Sequence, residues 1–216
     1  MNISKFLLID SALSLAAIPL IFFLQGVKRK SIILQNSNKE KLLKDISTKI
    51  PSKRKLIELE KLSIKNGSGI EFNSLLGNWK FVSVWKRNKE DEDTVLSSLL
   101  KVFSANMRIK EEFSTKNSPR FRLIISIQFG LFTIEFSGSG YLKGKQPLLE
   151  FFLDVIELKS GTNILLSKSI AKLEEEEKSF FALISLEENG HWLSARGQGG
   201  AVVIWLKDCF NNQSRS

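Results

Sequence analysis

The sequence predicts a mainly β protein, an antiparallel β-barrel preceded by N-terminal helices. Short apolar segments separated by turn residues recur from residue 75 to residue 207, and their number and spacing favour a closed barrel over an α/β fold. Phe132, Ile134 and Phe136 alternate with polar residues, as in a half-exposed antiparallel strand. With 216 residues, the chain is long enough for one domain of about 150 residues and a smaller attachment.

The first 30 residues predict a membrane anchor. Residues 6–27 are almost entirely apolar, and as a helix of ~33 Å they would match the hydrocarbon core of a bilayer. Lys28, Arg29 and Lys30 follow at once, so the positive-inside rule places the rest of the chain on the cytoplasmic or stromal side. Spanning and interfacial helices both fit. A cleaved secretory signal fits less well, since the positive n-region is weak and no small-residue cleavage site precedes Lys28.

Residues 31–66 predict a basic helical stem. Leucine and isoleucine recur at helical spacing over 37–65, and Pro51 divides this pattern into two short amphipathic helices. Residues 28–66 hold twelve Lys or Arg against four Asp or Glu, which is +8 of the net charge of +9. The apolar faces are expected to pack on the barrel or plug its mouth. The basic faces are either simply solvated or in contact with anionic lipid.

The barrel domain is expected over 67–208, followed by a polar tail at 209–216. Its first strand, 75–85, carries Trp79, Phe81 and Trp85 at period two. A short helix is predicted at 94–103, with Thr94 as its N-cap. The remaining strands are predicted at 107–113, 120–129, 131–142, 149–158, 163–173, 178–187, 191–196 and 201–207.

Few residues suit catalysis or metal binding. His191 and Cys209 are the single histidine and the single cysteine, so neither a nucleophile system nor a clustered metal site is indicated. The strands carry no basic stripe interleaved with exposed aromatic residues, which disfavours nucleic acid as a partner. We therefore expect a protein without enzymatic activity, metal or cofactor.

The aromatic load points instead to an apolar interior. The chain has 16 Phe and 4 Trp against 1 Tyr. Pointing inward, eight of these residues would either line a cavity for a long hydrophobic molecule or fill it, and both alternatives stay open. The eight candidate ligand-binding residues are Trp79, Phe81, Trp85, Phe132, Phe136, Phe151, Phe180 and Trp205.

Motifs at both ends of the barrel domain predict how it closes. Gly77 and Trp79 enter the first strand, and Arg196, Gly197 and Gly200 precede the last one. The guanidinium of Arg196 is expected to lie on the indole of Trp79 by a cation–π contact, closing the floor of the barrel.

Two stretches resemble the ends of the plastid lipid-associated protein (fibrillin) family: Leu76-Gly77-Asn78-Trp79-Lys80, and the closing run from Trp192 to Lys207. The resemblance implies a lipocalin-like barrel of photosynthetic membranes that binds carotenoids, prenylquinones or other lipids. By motif, Gly77 and Trp79 match the opening signature, and Arg196, Gly197 and Gly200 match the closing one. Gln198 stands where the family often has an acidic residue.

The function expected from this resemblance is non-enzymatic lipid binding. A barrel tethered to a thylakoid or plasma membrane would shelter a hydrophobic lipid or isoprenoid ligand, and the basic stem would face the anionic membrane surface. The alternative is a structural scaffold at the membrane, with the same fold and a filled barrel.

Overall fold

The computed structural model describes residues 50–87, 89–112, 120–145, 147–170 and 179–208. The chain divides into two units, Met1–Ser52 and Lys53–Ser216, and the fold below is that of the second unit. The predicted anchor, with its basic triplet 28–30, the part 31–49 of the predicted stem, and the tail 209–216 lie outside the described residues. Within the described stretches, no helix combines the length and hydropathy needed to cross a membrane.

Three helices and ten strands make up the described stretches of this unit. The helices are α1 (Lys53–Asn66), α2 (Phe72–Leu75) and α3 (Thr94–Val102). The strands are β1 (Gly77–Trp85), β2 (Asn106–Glu112), β3 (Arg120–Phe129), β4 (Phe132–Lys143), β5 (Leu148–Phe151), β6 (Val155–Ser160), β7 (Asn163–Ser169), β8 (Ser179–Leu186), β9 (Trp192–Gly197) and β10 (Val202–Lys207).

Local chemistry sets the helix ends. α1 starts two residues after Pro51 and ends where Gly67 adopts φ 86° and donates its N–H to the carbonyl of Ser63. α3 starts at Thr94, but its N-cap is Asp93, whose carboxylate accepts the Leu96 N–H at 3.1 Å. The expectation that Thr94 caps this helix was therefore wrong by one residue.

Eight antiparallel strands form a closed barrel, in the order β3-β2-β1-β10-β9-β8-β5-β4, with β4 pairing back onto β3. The mainly β, antiparallel barrel predicted from the sequence is confirmed. β6 and β7 are not members of the ring: β6 pairs with β4, and β7 pairs with β6 at the end of the sheet.

The twelve residues of β4 explain this branching. One end of β4 pairs with β5 (Gly140 opposite Phe151) and the other end pairs with β6 (Phe136 opposite Ile156). Between them, residues 152–154 stay bonded to the same edge of β4, through the Phe152 and Asp154 N–H groups, but three residues there span two of β4. The extra residue carries the backbone over the inner side of β4, and we call this bulge the crossover. The single strand predicted at 149–158 is therefore two strands, and β6 with β7 leaves the ring as a hairpin.

Burial identifies the inner face of the barrel. On β2 and β3, Ile109 and Leu123 face each other at 1% and 0% exposure, whereas Lys110 next to Ile109 is exposed and Arg122 next to Leu123 is half-buried. Met107 lies on the same face of β2 as Ile109 and pairs with Trp79 of β1, so Trp79 also faces inward. The outward face of β8 is covered by α1, whose Leu56 is fully buried.

The two ends of the barrel differ. At the near end, α2 precedes β1: the ring of Phe72 lies 6.5 Å from that of Phe121, and the Trp79 indole donates to the carbonyl of Leu75 at 2.8 Å. The far end carries the β3–β4 turn. There α3 lies beside the second half of β1, and the Ser97 hydroxyl accepts the Val84 N–H at 3.1 Å.

Candidate ligand-binding face at the far end of the barrel

The near half of the interior is filled by side chains. Trp79, Phe121, Leu123 and Leu149 are all 0% exposed. The ring of Phe121 occupies the inner side of Gly140, where an added Cβ would lie 2.4 Å from its Cζ. Because side chains with no accessible surface border no water-sized void, the described residues leave no room for a ligand in this half.

The crossover at 152–154 marks the boundary of this filled half. An added Cβ on Gly138 would lie 1.7 Å from the Phe152 carbonyl oxygen and 2.7 Å from the Leu153 Cα. The backbone of Phe152 and Leu153 therefore passes across the inner side of β4, and only glycine fits beneath it. Asp154 fixes the base of the hairpin, since its N–H bonds the Ser137 carbonyl and its own carbonyl accepts the Ile170 N–H.

Beyond this crossover, the inner face of β3, β4 and β6 is apolar, and most of it is only half-buried. The register places five half-buried aliphatic and aromatic side chains on it, beside Ile127, which is buried at 4% exposure. We call this surface the far-end face, and its members are Ile125, Ile134, Phe136, Ile156 and Leu158.

The opposite face of the same strands is polar. Lys159 forms ion pairs with Glu135 and Glu157, the second at 2.9 Å. Burial alone would lower the pKa of Lys159, but hydrogen bonds to both carboxylates overcome this and raise it. Nearer the crossover, the Arg122 guanidinium contacts both carboxylate oxygens of Asp154, at 2.7 and 2.9 Å. All of these ionisable groups lie on the opposite face, so they place no charge on the far-end face.

The structure divides the eight predicted ligand-binding residues between both faces. Phe132 lies on the same face of β4 as Ile134 and Phe136, but at the end of the strand, where its side chain is 41% exposed. Trp85 faces outward, because a bulge between Phe81 and Ser83 adds one residue and reverses the alternation of β1. Phe180 also faces outward, whereas Phe181 contacts Trp205 from within. The remaining five lie on the inner face: Trp79, Phe81, Phe136, Phe151 and Trp205.

Arg196 does not lie on Trp79, so the predicted cation–π contact is wrong. Opposite Val202, Arg196 faces outward, away from the indole, and binds Glu60 of α1 at 2.5 and 2.6 Å. The hydrogen bonds with Glu60 raise the pKa of Arg196 above its ordinary value, against the opposing effect of burial. The cation over Trp79 is Lys207, with its Nζ 5.1 Å from the ring centroid.

The three predicted closing glycines have local roles in the structure. Gly77 enters β1 with φ 128°, a conformation that other residues rarely adopt. Gly200 has φ 86°, lies against the side chain of Arg87, and offers its carbonyl to the guanidinium of Arg196 at 2.5 Å. Gly197 donates its N–H to Ala201 and accepts one from Gly200, which forms the β9–β10 turn.

Three residues that contribute to these sites were not predicted from the sequence. Glu60 and Lys207 meet their partners across the fold, and no local pattern signals either contact. Gly138 had a weak signal, since Gly138 and Gly140 alternate within a strand, which is typical of a close backbone approach.

The described residues offer little acid–base or metal chemistry. Among them, no group of three His, Cys, Asp or Glu is placed to hold a metal ion. His191 lies in the β8–β9 turn and pairs with Glu187, with Nδ1 3.1 Å from the carboxylate.

The fold and this face together define a closed eight-stranded barrel with an apolar surface at one end. Comparison of the chain with family models, curated proteins and solved structures found no match. The resemblance to fibrillins therefore stays a prediction that rests on the two end motifs.

Proposed function

We propose that the protein is a non-enzymatic carrier of a hydrophobic ligand at a photosynthetic membrane, the thylakoid or the plasma membrane. The ligand is a carotenoid, a prenylquinone or another lipid, the classes that the fibrillin resemblance implies. One observation carries the proposal: the far-end face is apolar, continuous over three strands and only half-buried.

The far-end face suits an elongated apolar molecule. At about 25 cal/mol per Å² of apolar area removed from water, burying a long isoprenoid or acyl chain supplies several kcal/mol. Because the near half is filled, the ligand lies against β4 and β6 near the rim. Trp79 and Phe151 then support the barrel and do not touch the ligand.

The identity of the ligand is tested first. The full-length protein is purified gently from its own membranes, and an organic extract is analysed by mass spectrometry beside a mock purification. One carotenoid, quinone or lipid enriched near one per chain supports the carrier function. An extract that matches bulk membrane lipid counts against it.

Ile156 and Val155 provide a matched pair of variants for the site. They are neighbours on β6, both half-buried, and they point to opposite faces. Ile156→Asn should weaken binding of a fluorescent fatty acid about tenfold or more, since a polar amide replaces apolar contact. Val155→Asn should leave the affinity close to that of the unaltered protein. Equal effects of the two substitutions would remove the far-end face from the site.

We propose in addition that α1, as part of the predicted stem, faces an anionic membrane surface. Four of its exposed residues are basic, beside the exposed Glu58, Leu62 and Ile64, and each basic residue contributes on the order of 1 kcal/mol near such a surface. Replacing the basic residues by Gln in the full chain should lower binding to phosphatidylglycerol vesicles, whereas Gln at Lys143 and Lys145 of the near end should not. The α1 residues to replace are Arg54, Lys55, Lys61 and Lys65.

The second candidate function is a structural scaffold at the membrane. It is favoured by the near half of the barrel, where Phe121 and Leu149 are completely buried. A scaffold would give no saturable binding of the fluorescent fatty acid, and substitution of Ile156 would then have no binding to weaken.

A further inference from the structure

The β3–β4 turn is apolar, unlike the other turns whose residues are described. It reads Phe129-Gly130-Leu131-Phe132, with Leu131 81% exposed and Phe132 41% exposed. The comparable turns expose no large apolar side chain: Gly161 and Thr162 join β6 to β7, the run from Glu187 to His191 joins β8 to β9, and Gln198 to Ala201 joins β9 to β10. Turns normally carry polar residues because they lie in water. The β3–β4 turn therefore exposes apolar side chains where a turn in water would normally carry polar ones.

The geometry of the turn presents its apolar atoms outward. The rings of Phe129 and Phe132 lie 5.9 Å apart across the base of the turn, with Leu131 beyond them. The end of α3 is adjacent, since the Gln128 N–H donates to the Phe103 carbonyl at 2.7 Å. Val102 at that helix end is 74% exposed. We call these four apolar residues the rim tip, and they are Val102, Phe129, Leu131 and Phe132.

The position of the rim tip connects it to the far-end face. β3 runs from the near end, where Phe121 meets α2, to the rim tip, over ten residues or about 33 Å of strand. Phe132 shares the face of Ile134 and Phe136 on β4. An apolar surface therefore extends from the turn into the half-buried far-end face.

We propose that the rim tip enters the outer layer of a lipid bilayer and places the far-end face against it. None of the four side chains of the tip is ionisable, so the tip offers no charge or directed hydrogen bond with which a protein partner would fix its position. A bilayer requires none. Lys101, exposed beside Val102, lies where it can meet lipid phosphates. A lipid leaving the bilayer here would reach the far-end face without crossing water.

The inference rests on the proposed function in one respect, that the protein works at a membrane. The experiment therefore measures membrane binding and tip insertion separately. It uses the full chain with Cys209→Ser, so that a single introduced cysteine carries an environment-sensitive fluorophore. Leu131→Cys places the label on the rim tip, and Asn189→Cys places it on the exposed, polar β8–β9 turn of the near end as a matched control.

The labelled chains are mixed with phosphatidylcholine–phosphatidylglycerol vesicles, with and without nitroxide-labelled lipids, and floated on a gradient. The expected result is that both variants float, and that only the label at Leu131→Cys shifts to the blue and is quenched by nitroxide. Floating chains whose label at that position stays in water would overturn the inference and leave membrane binding intact. Chains that do not float would overturn the inference and the membrane part of the proposed function together.

Two controls separate insertion of the tip from self-association and from an effect of the fluorophore. A blue shift at Leu131→Cys that appears without vesicles and grows with protein concentration would indicate self-association, and would overturn the inference. In the unlabelled and otherwise unaltered chain, Leu131→Asp should weaken partition into neutral phosphatidylcholine vesicles roughly tenfold or more. Its melting temperature should stay that of the parent, because the side chain is 81% exposed. Unchanged partition of this variant would refute insertion of the tip.

Discussion

The contact between Glu60 and Arg196 should hold α1 on the barrel, and a double-mutant cycle can measure it. The guanidinium bonds both carboxylate oxygens, at 2.5 and 2.6 Å, and the two side chains are 27% and 12% exposed for Arg196 and Glu60. Exposed ion pairs contribute about 0–1 kcal/mol, whereas breaking a fully buried pair costs about 3–5 kcal/mol. We expect a coupling free energy of about 1–2 kcal/mol for this partly buried, bidentate pair.

The cycle consists of Arg196→Met, Glu60→Gln and the double variant, each unfolded in urea and by heat. Arg196→Met alone should cost about 2–3 kcal/mol, because the Glu60 carboxylate and the Gly200 carbonyl both lose their donor. For a chain of this size that corresponds to a fall in Tm of roughly 4–12 °C. The double variant should recover part of this loss, since it leaves no unpaired charge.

The control cycle uses Arg54 and Glu58 of the same helix, which pair at 3.7 Å with side chains 88% and 51% exposed. Their coupling should be about 0.5 kcal/mol or less. A Glu60–Arg196 coupling no larger than that of this control would refute the view that the ion pair fastens α1. A third cycle between Arg196 and Trp79 should show no coupling, because the two side chains lie on opposite faces of the sheet.

Two further substitutions test the fold around the proposed site. Gly138→Ala should destabilise the protein by about 3 kcal/mol or more, because its Cβ would overlap the Phe152 carbonyl. Thr133→Ala, on the outward face of the same strand, should cost far less. Similar midpoints of urea unfolding for the two variants would contradict the crossover. Asp93→Ala should cost about 1 kcal/mol at neutral pH through loss of the α3 cap. The Lys86 hydrogen bond holds the pKa of Asp93 below its ordinary 3.8, so this contribution is complete above that pH and is lost as the pH falls through the lower folded-state value. Urea titrations should show the gap between parent and variant closing in acid, and a gap that persists unchanged would show that the carboxylate is not responsible.

Several elements were predictable because their signals are local. β3 spans 120–129 as predicted, and its alternation needs no partner to be recognised. α3 was placed within one residue from its apolar spacing. The start of α1 just after Pro51 and its glycine-rich end follow from backbone chemistry alone. Each of these features depends on residues within a turn or two of one another.

The candidate site was only partly predictable, because side-chain direction depends on register. Trp85 has the same period as Trp79 and Phe81, but one bulged residue in β1 turns it outward. Phe180 and Phe181 are chemically identical neighbours, and pairing with β5 decides which of them faces in. The partner of Arg196 lies 136 residues away along the chain. No spacing rule could have supplied these choices.

The sequence by itself determined that this chain forms an antiparallel barrel with helices before it, because alternation, turn residues and helix breakers are properties of neighbouring residues. Only the tertiary structure decided that the near half of the barrel is filled, that the chain crosses Gly138, and that an apolar face remains at the far end. Those outcomes depend on which strands become neighbours and how their faces meet, and contacts between distant segments are made only when the barrel closes.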